Sequence, residues 1–320
     1  MRDQPLEIAY LFPGQGSQSV GMGKELSERH PIARDTFLEA DELMGFALSK
    51  LAWDGPEEEL NDTLNTQPAL LVHSIAVMRV MQQTHPEISP KFVAGHSMGE
   101  ITSLVAAGSL PFADALRLAR TRGQLMKLAG EVNPGGMAAI IGLEIATVED
   151  ICRQVGNAEN PVQIANDNCP GQIVISGAAK PLEEAMALCL EAGARKVVRL
   201  AVSIAAHSPL MEHVQTEFNL AVNRSPIVDP QIPIVGNVSA NLLLTAEDIR
   251  ADLQAQLRSR VRWTESIQFI LSKGVHRFLE LGNNTVLAGL LKRISRQASC
   301  LSLANPGDFS NLPEFIRIYS

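Results

Sequence analysis

The rhythm of apolar and polar positions changes several times along this chain, and each change marks an element. Residues 8–12 (Ile-Ala-Tyr-Leu-Phe) form an unbroken apolar run that stops at Pro13-Gly14-Gln15-Gly16-Ser17. A short run closed by proline and glycine predicts a buried strand entering a loop. Residues 67–82 predict a buried helix. Residues 91–94 are a second short run, leading into Gly95-His96-Ser97-Met98-Gly99, and residues 100–107 continue as a helix. The helix predicted over 112–128 carries a stripe: Ala115, Leu118, Ala119, Leu125 and Met126 share one face, while Arg117, Arg120, Thr121, Gln124 and Lys127 share the other.

The pattern breaks at Asn133-Pro134-Gly135-Gly136, which reads as a hinge. Beyond it come a strand over 137–141, a helix over 147–155 with Thr147 as its N-cap, and strands over 162–165 and 172–176 joined by a turn through Asn168-Cys169-Pro170-Gly171. A helix over 181–192 follows, opened by Pro181 and closed by Gly193, then a strand over 196–200. This β-α-β-β-α-β order is that of a small self-contained sandwich. The chain is therefore expected to divide into a larger domain, residues 1–131 and 204–320, and an insertion, residues 132–203. From Ser203 onward long helical patterns return, and strand-like segments at 232–235 and 276–281 are placed to complete the larger sheet.

Composition narrows the class. At 320 residues, 46% hydrophobic and 19% charged, the chain has the balance of a globular enzyme rather than a disordered one. A net charge of −8 without a Lys/Arg cluster argues against nucleic acid. The four cysteines, Cys152, Cys169, Cys189 and Cys300, make no CxxC pair and no Cys/His spacing for a metal, so reduced thiols and a cytoplasmic setting are expected. No basic segment precedes an apolar stretch at the start and no run reaches membrane-spanning length, so no membrane association is expected.

Two features carry candidate chemistry. Gly95-His96-Ser97-Met98-Gly99 fits GxSxG, in which a serine sits on a sharp strand-to-helix turn that lifts its hydroxyl clear of the sheet. The turn also aims the following N–H, here that of Met98, at the place where an oxyanion forms. The same five residues also suit a purely structural turn. A serine needs a base, and seven histidines are available. His30, His85 and His276 lie in polar stretches, and His73 lies within an apolar helix. His96 is a neighbour on the same turn and suits a wall or orienting role. His207 follows an apolar stretch at the domain junction, and His213 is its rival as the base. The second feature is Arg122, which falls in the middle of the apolar stripe of its helix. A buried arginine demands a partner: either an internal Asp or Glu, or the carboxylate of a ligand held by parallel hydrogen bonds.

Several motifs occur in order: Phe12-Pro13-Gly14-Gln15-Gly16-Ser17-Gln18, Gly95-His96-Ser97-Met98-Gly99-Glu100, Arg122-Gly123-Gln124-Leu125-Met126, Asn168-Cys169-Pro170-Gly171-Gln172, His207-Ser208 and Val261-Arg262-Trp263. Together they resemble the malonyl-CoA:acyl-carrier-protein transacylase family and the related acyltransferase domains of polyketide synthases. The resemblance runs over nearly the whole chain. It implies an α/β fold, with an α/β-hydrolase-like large domain and an inserted ferredoxin-like small domain. It implies that Ser97 is acylated, that His207 is the general base, and that a backbone carbonyl at Gln256, rather than a carboxylate, orients the histidine. The oxyanion hole is then formed by Gln15 and Met98, Arg122 binds the free malonyl carboxylate, and Gln67, His96 and Ala206 complete the substrate site. The implied partners are malonyl-CoA and an acyl carrier protein bearing phosphopantetheine. No cofactor or metal is implied, and a monomer is expected. Two departures bear on specificity and shape. Ala206 stands where malonyl-selective members commonly carry Phe, which enlarges the pocket, and Gly282-Asn283 stands where Gly-Pro is usual. Rivals are a hydrolase passing the acyl group to water, a non-catalytic carrier-binding protein and a lipase-like esterase. Arg122, the presence of both Ser97 and His207, and the lack of an acidic triad member argue against them in turn.

Overall fold

Ten strands form among the described residues, 7–317, of the computed structural model: β1 (Ile8–Phe12), β2 (Phe92–Gly95), β3 (Gly135–Ile141), β4 (Val162–Cys169), β5 (Gln172–Ala178), β6 (Lys196–Arg199), β7 (Ile234–Val235), β8 (Leu242–Leu243), β9 (Arg277–Leu281) and β10 (Ser299–Leu303). They build two sheets. The larger has the order β10-β9-β1-β2-β7-β8, and its neighbours are parallel except for β7 with β8. β1 is fully buried, and its alternate side chains enter different cores. Ile8, Tyr10 and Phe12 pack with the Thr63–Thr84 and Phe112–Val132 helices, whereas Ala9 and Leu11 pack with the Trp263–Ser272 and Val286–Ile294 helices. Burial on both faces is what a parallel sheet requires, and it is why 8–12 is apolar at every position.

Because β1, β2 and β9 are parallel, their C-terminal ends share one edge of the sheet. β1 runs into Pro13-Gly14-Gln15, β2 into His96-Ser97 and β9 into Gly282-Asn283. The crevice beyond the carboxyl ends of such strands is where open α/β sheets bind ligands.

The second sheet is antiparallel, in the order β4-β5-β3-β6. With the Ile145–Val155 and Ala179–Glu191 helices it has its own core around Ile140, Ile164, Ile175 and Leu182. The chain is thus mixed α/β, with a large parallel layer and a small ferredoxin-like unit. β4 carries bulges between Ile164 and Asn166 and between Asp167 and Cys169, and its bent end attaches to the larger part. Val261 N–H donates to Ala165 O (2.8 Å), and Asp167 N–H donates to Val261 O (2.9 Å). Positions 1–6 and 318–320 of the expected larger domain lie outside the described residues.

Several local expectations shift. The helix expected at 147 starts at Ile145 with Glu144 as N-cap, because Ile145 already packs on the small core; Thr147 lies within its first turn. The helix expected at 181 starts at Ala179. Gly135 and Gly136 belong to β3, so the break lies at Asn133-Pro134. β4 extends to Cys169, which leaves only Pro170 and Gly171 for the turn, with Gly171 at φ 71°.

Candidate active site

Ser97 sits between β2 and the Gly99–Ala106 helix at φ 53°, a left-handed conformation that strains a residue with a Cβ. The glycines around it are there for space: a Cβ on Gly95 would lie 1.9 Å from Gly99 O, and one on Gly99 would lie 2.2 Å from Phe12 O. Asn237, just beyond β7, holds the turn from both sides. Its Oδ1 accepts the Ser97 N–H (2.7 Å), and its Nδ2 donates to Gly95 O (2.7 Å).

His207 is also left-handed, at φ 58°. Its Nε2 lies 2.8 Å from Ser97 Oγ and its Nδ1 lies 2.8 Å from Gln256 O. A carbonyl only accepts, so Nδ1 carries the proton and the Nε2 lone pair faces the serine hydroxyl. Gln163 of β4 donates to His207 O (2.7 Å) and to Arg258 O (2.9 Å). Burial, and secondly the nearby Arg122 charge, push the imidazole pKa down to about 3, so it stands neutral and ready to accept a proton. The other histidines are occupied elsewhere. His213 is exposed beside Asn133, His73 is buried 3.1 Å from Ala304 O, and His30 is half-buried against Phe309.

Arg122 is 1% exposed. Its Nη1 donates to Gln67 Oε1 (2.9 Å), and its Nη2 donates to Gln256 Oε1 (2.8 Å) and Ser97 Oγ (3.2 Å). These partners are all neutral, so the internal ion pair, one of the two alternatives for this residue, does not form among the described residues. Nε has no partner. Three of the five guanidinium N–H groups are used, which leaves the Nε–H and one Nη1–H without an acceptor among the described residues. Burial pulls its pKa down to about 10, which still leaves it cationic.

The Pro13–Gly16 loop lies over the serine turn: His96 N–H donates to Phe12 O (3.0 Å), and a Cβ on Gly14 would lie 2.4 Å from His96 O. Among the described residues neither the Gln15 nor the Met98 N–H donates a hydrogen bond, so both are free for an incoming oxyanion. The Gln15 side chain accepts from Thr63 Oγ1 (2.7 Å), which in turn accepts from Gln67 Nε2 (3.1 Å). Gln67 is fully buried and reaches the site through Arg122 and Thr63. His96 Nε2 lies 2.8 Å from Asn168 Oδ1, and its ring stands edge-on to Trp263. Ala206 is buried next to His207. At the Gly282-Asn283 departure, Asn283 Nδ2 donates to Ser17 O (2.7 Å) and Ser19 Oγ (2.8 Å), and Asn284 Nδ2 donates to Ser17 O (2.7 Å). The asparagines therefore tie the glycine-rich loop to the end of β9.

Sequence reasoning did not find Asn237, Gln163, Thr63 or Glu100. Glu100 left a signal: it is the one charged residue of the Gly99–Ala106 helix, and it is fully buried. The others touch the site across long chain separations that no local period announces. The assembled groups are a hydroxyl aligned with a neutral base, two free N–H donors and a buried cation with spare donors. That set is suited to attack on the carbonyl of an acyl group whose far end is anionic.

Residues 9–306 match the family model described as acyl transferase domain. A malonyl CoA-acyl carrier protein transacylase of Bacillus subtilis is 44% identical over 300 residues, covering 94% of each chain. The crystal structure of a malonyl-CoA:acyl carrier protein transacylase from Xanthomonas oryzae pv. oryzae is similar with a TM-score of 0.92 and 44% identity, covering 96% of this chain and 97% of that one. A malonyl-transacylase in complex with its type II polyketide synthase acyl-carrier protein gives a TM-score of 0.93 and 40% identity, covering 96% and 99%.

Proposed function

The chain belongs to the acyl transferase domain family, and from that premise we propose that it moves a malonyl group from coenzyme A to the phosphopantetheine thiol of an acyl carrier protein through a seryl ester. The observation that carries this reading is Arg122, a buried cation with neutral partners and spare donors, 3.2 Å from the serine hydroxyl. In the first half-reaction Ser97 Oγ attacks the thioester carbonyl carbon and its proton passes to His207 Nε2. The oxyanion accepts from the Gln15 and Met98 N–H groups. As the tetrahedral intermediate collapses, the C–S bond breaks and His207 returns the proton to the departing thiolate. In the second, the carrier's thiol gives its proton to His207 and attacks the seryl ester, and the proton then returns to Ser97 Oγ as the C–O bond breaks. Ping-pong kinetics follow.

Gln256 O keeps His207 in the tautomer this requires, and Arg122 holds the malonyl carboxylate through charge-assisted hydrogen bonds. Gln67 fixes the guanidinium from the other side, and His96 walls the turn. Ala206 leaves room beside the acyl chain. Since an apolar pocket separates substrates by only about 1–3 kcal/mol per methylene, a slightly larger diacid acyl group is admitted. No cofactor is needed, because the acyl group arrives already activated as a coenzyme A thioester and leaves on the carrier's own thiol. No helix among the described residues is long and apolar enough to cross a membrane, and the four cysteines are free, which supports a cytoplasmic setting.

The test is intact-mass measurement after mixing the enzyme with malonyl-CoA, then with a holo carrier. A malonyl adduct on Ser97 that passes to the carrier is expected. Release of free malonate without carrier loading would make the protein a hydrolase instead.

A further inference from the structure

The mechanism above leaves Glu100 unused. Glu100 is fully buried directly after the serine turn. Its Oε1 accepts the Asn237 N–H (3.0 Å), its Oε2 accepts from Gln256 Nε2, and it lies in hydrogen-bond contact with Asp252. Asp252, also buried, accepts the N–H groups of Asn237 (3.0 Å), Val238 (3.1 Å) and Ser239 (2.9 Å). Two buried carboxyl groups that share the Asn237 N–H are compatible with a proton between them. Burial, and secondly the adjoining Asp252, hold the Glu100 carboxyl well above the ordinary carboxylate range.

The Gln256 carboxamide next to it faces two ways. Its Nε2 donates to Glu100 and to Ser97 O (3.1 Å), and its Oε1 accepts from Arg122 (2.8 Å). A carboxamide turned end for end keeps its shape but would set NH₂ against the guanidinium, donor against donor. We propose that Glu100 is a positioning residue of the malonyl site: by accepting the Gln256 Nε2–H it fixes the carboxamide so that Oε1 holds Arg122 where the acyl carboxylate meets it. This role rests on Arg122 being the partner of that carboxylate.

The experiment compares single-turnover loading of Ser97 from malonyl-CoA and acetyl-CoA, read by intact mass, across variants. Glu100→Leu lowers the malonyl-to-acetyl ratio about 10-fold, through KM for malonyl-CoA, consistent with a weakened charge-assisted bond. Gln256→Met, which keeps the backbone carbonyl, lowers it similarly, and the double variant lowers it no further. Glu100→Gln, with an acceptor for Gln256 and a donor for Asp252, restores the ratio to within about 3-fold. Equal losses of malonyl and acetyl loading in Glu100→Leu would overturn the proposal, as would a Glu100→Gln variant as impaired as the leucine. If Glu100→Leu does not fold, Gln256→Met decides, and an unchanged ratio there also overturns it. Arg122→Ala is the separate control: an unchanged ratio in that variant removes the malonyl reading of Arg122 itself.

Discussion

The two sheets do different work. The parallel sheet ends in the loops that carry the chemistry: the Gln15 loop after β1, Ser97 after β2, Asn237 after β7 and the Asn283 tie after β9. The antiparallel sheet provides no group that reaches the reacting atoms in the mechanism proposed. From β4 it sends Gln163 to the His207 carbonyl and Asn168 to the His96 ring. One sheet thus builds the site and the other braces it. Parallel strands place successive loops on one edge, whereas the strands of an antiparallel sheet alternate in direction and scatter their loops between two edges. Substitutions on the first sheet should therefore change the chemistry, and those on the second should change only its efficiency.

The largest test of that division is Ser97→Ala. It is expected to lower acyl transfer by roughly four orders of magnitude or more and to abolish the covalent malonyl adduct seen by intact mass. A surviving adduct would move the nucleophile elsewhere. His207→Ala should cost about 10²–10⁴-fold in seryl ester formation, the usual range for a positioned base, measured by rapid-quench acylation.

Next comes Arg122→Ala, which should lose about 10–100-fold in kcat/KM for malonyl-CoA, the worth of charge-assisted hydrogen bonds, while sparing acetyl-CoA. The same variant tests the electrostatics. His207 is pushed down to about 3 in the fold against 6.5 when unperturbed, first by burial and then by Arg122. Protonated His207 cannot take the serine proton, so activity falls on the acid side, and for the free enzyme that limb lies far below 6.5. Removing the cation should move the limb upward in a kcat/KM profile taken with acetyl-CoA. Stability has the same sign: the group is depressed in the fold, so its contribution is present above 6.5 and is lost as the pH falls.

The division between the sheets also explains what could be read from the chain alone. β1 is buried on both faces and stands out as an apolar run, and the serine turn stands out because its glycines are needed within five residues. Arg122 was visible because a helix places it on the stripe with Leu118 and Leu125. These signals are local. His207 became the base only through the ordered motifs, since its contact with Ser97 spans 110 positions. Asn237 and Gln163 act across 140 and 44 positions, and periodicity carries nothing over such distances. β8 is two residues within a run of only three leucines, too short to mark a strand, and β10 mixes serine with leucine at a half-buried edge.

The smallest expected effect, and the one that sharpens the comparison most, belongs to Gln163. Its Nε2 is the only group on the second sheet seen to hold the backbone of a residue in the Ser97–His207 pair among the described residues, and it bridges His207 O to Arg258 O. His207 is at φ 58° and needs outside contacts to stay there. Gln163→Met keeps the length and packing of the side chain but removes both donors. Half-buried carbonyls can turn to water, so the loss is confined to the positioning of the base. A fall of about 3–10-fold in kcat, with KM for malonyl-CoA unchanged, is expected from steady-state transfer to a holo carrier. A loss as large as that of His207→Ala would place the antiparallel sheet inside the catalytic machinery. An unchanged kcat would reduce it to a cover over the site, because Gln256 O and the strained turn at residue 207 would then hold the imidazole unaided.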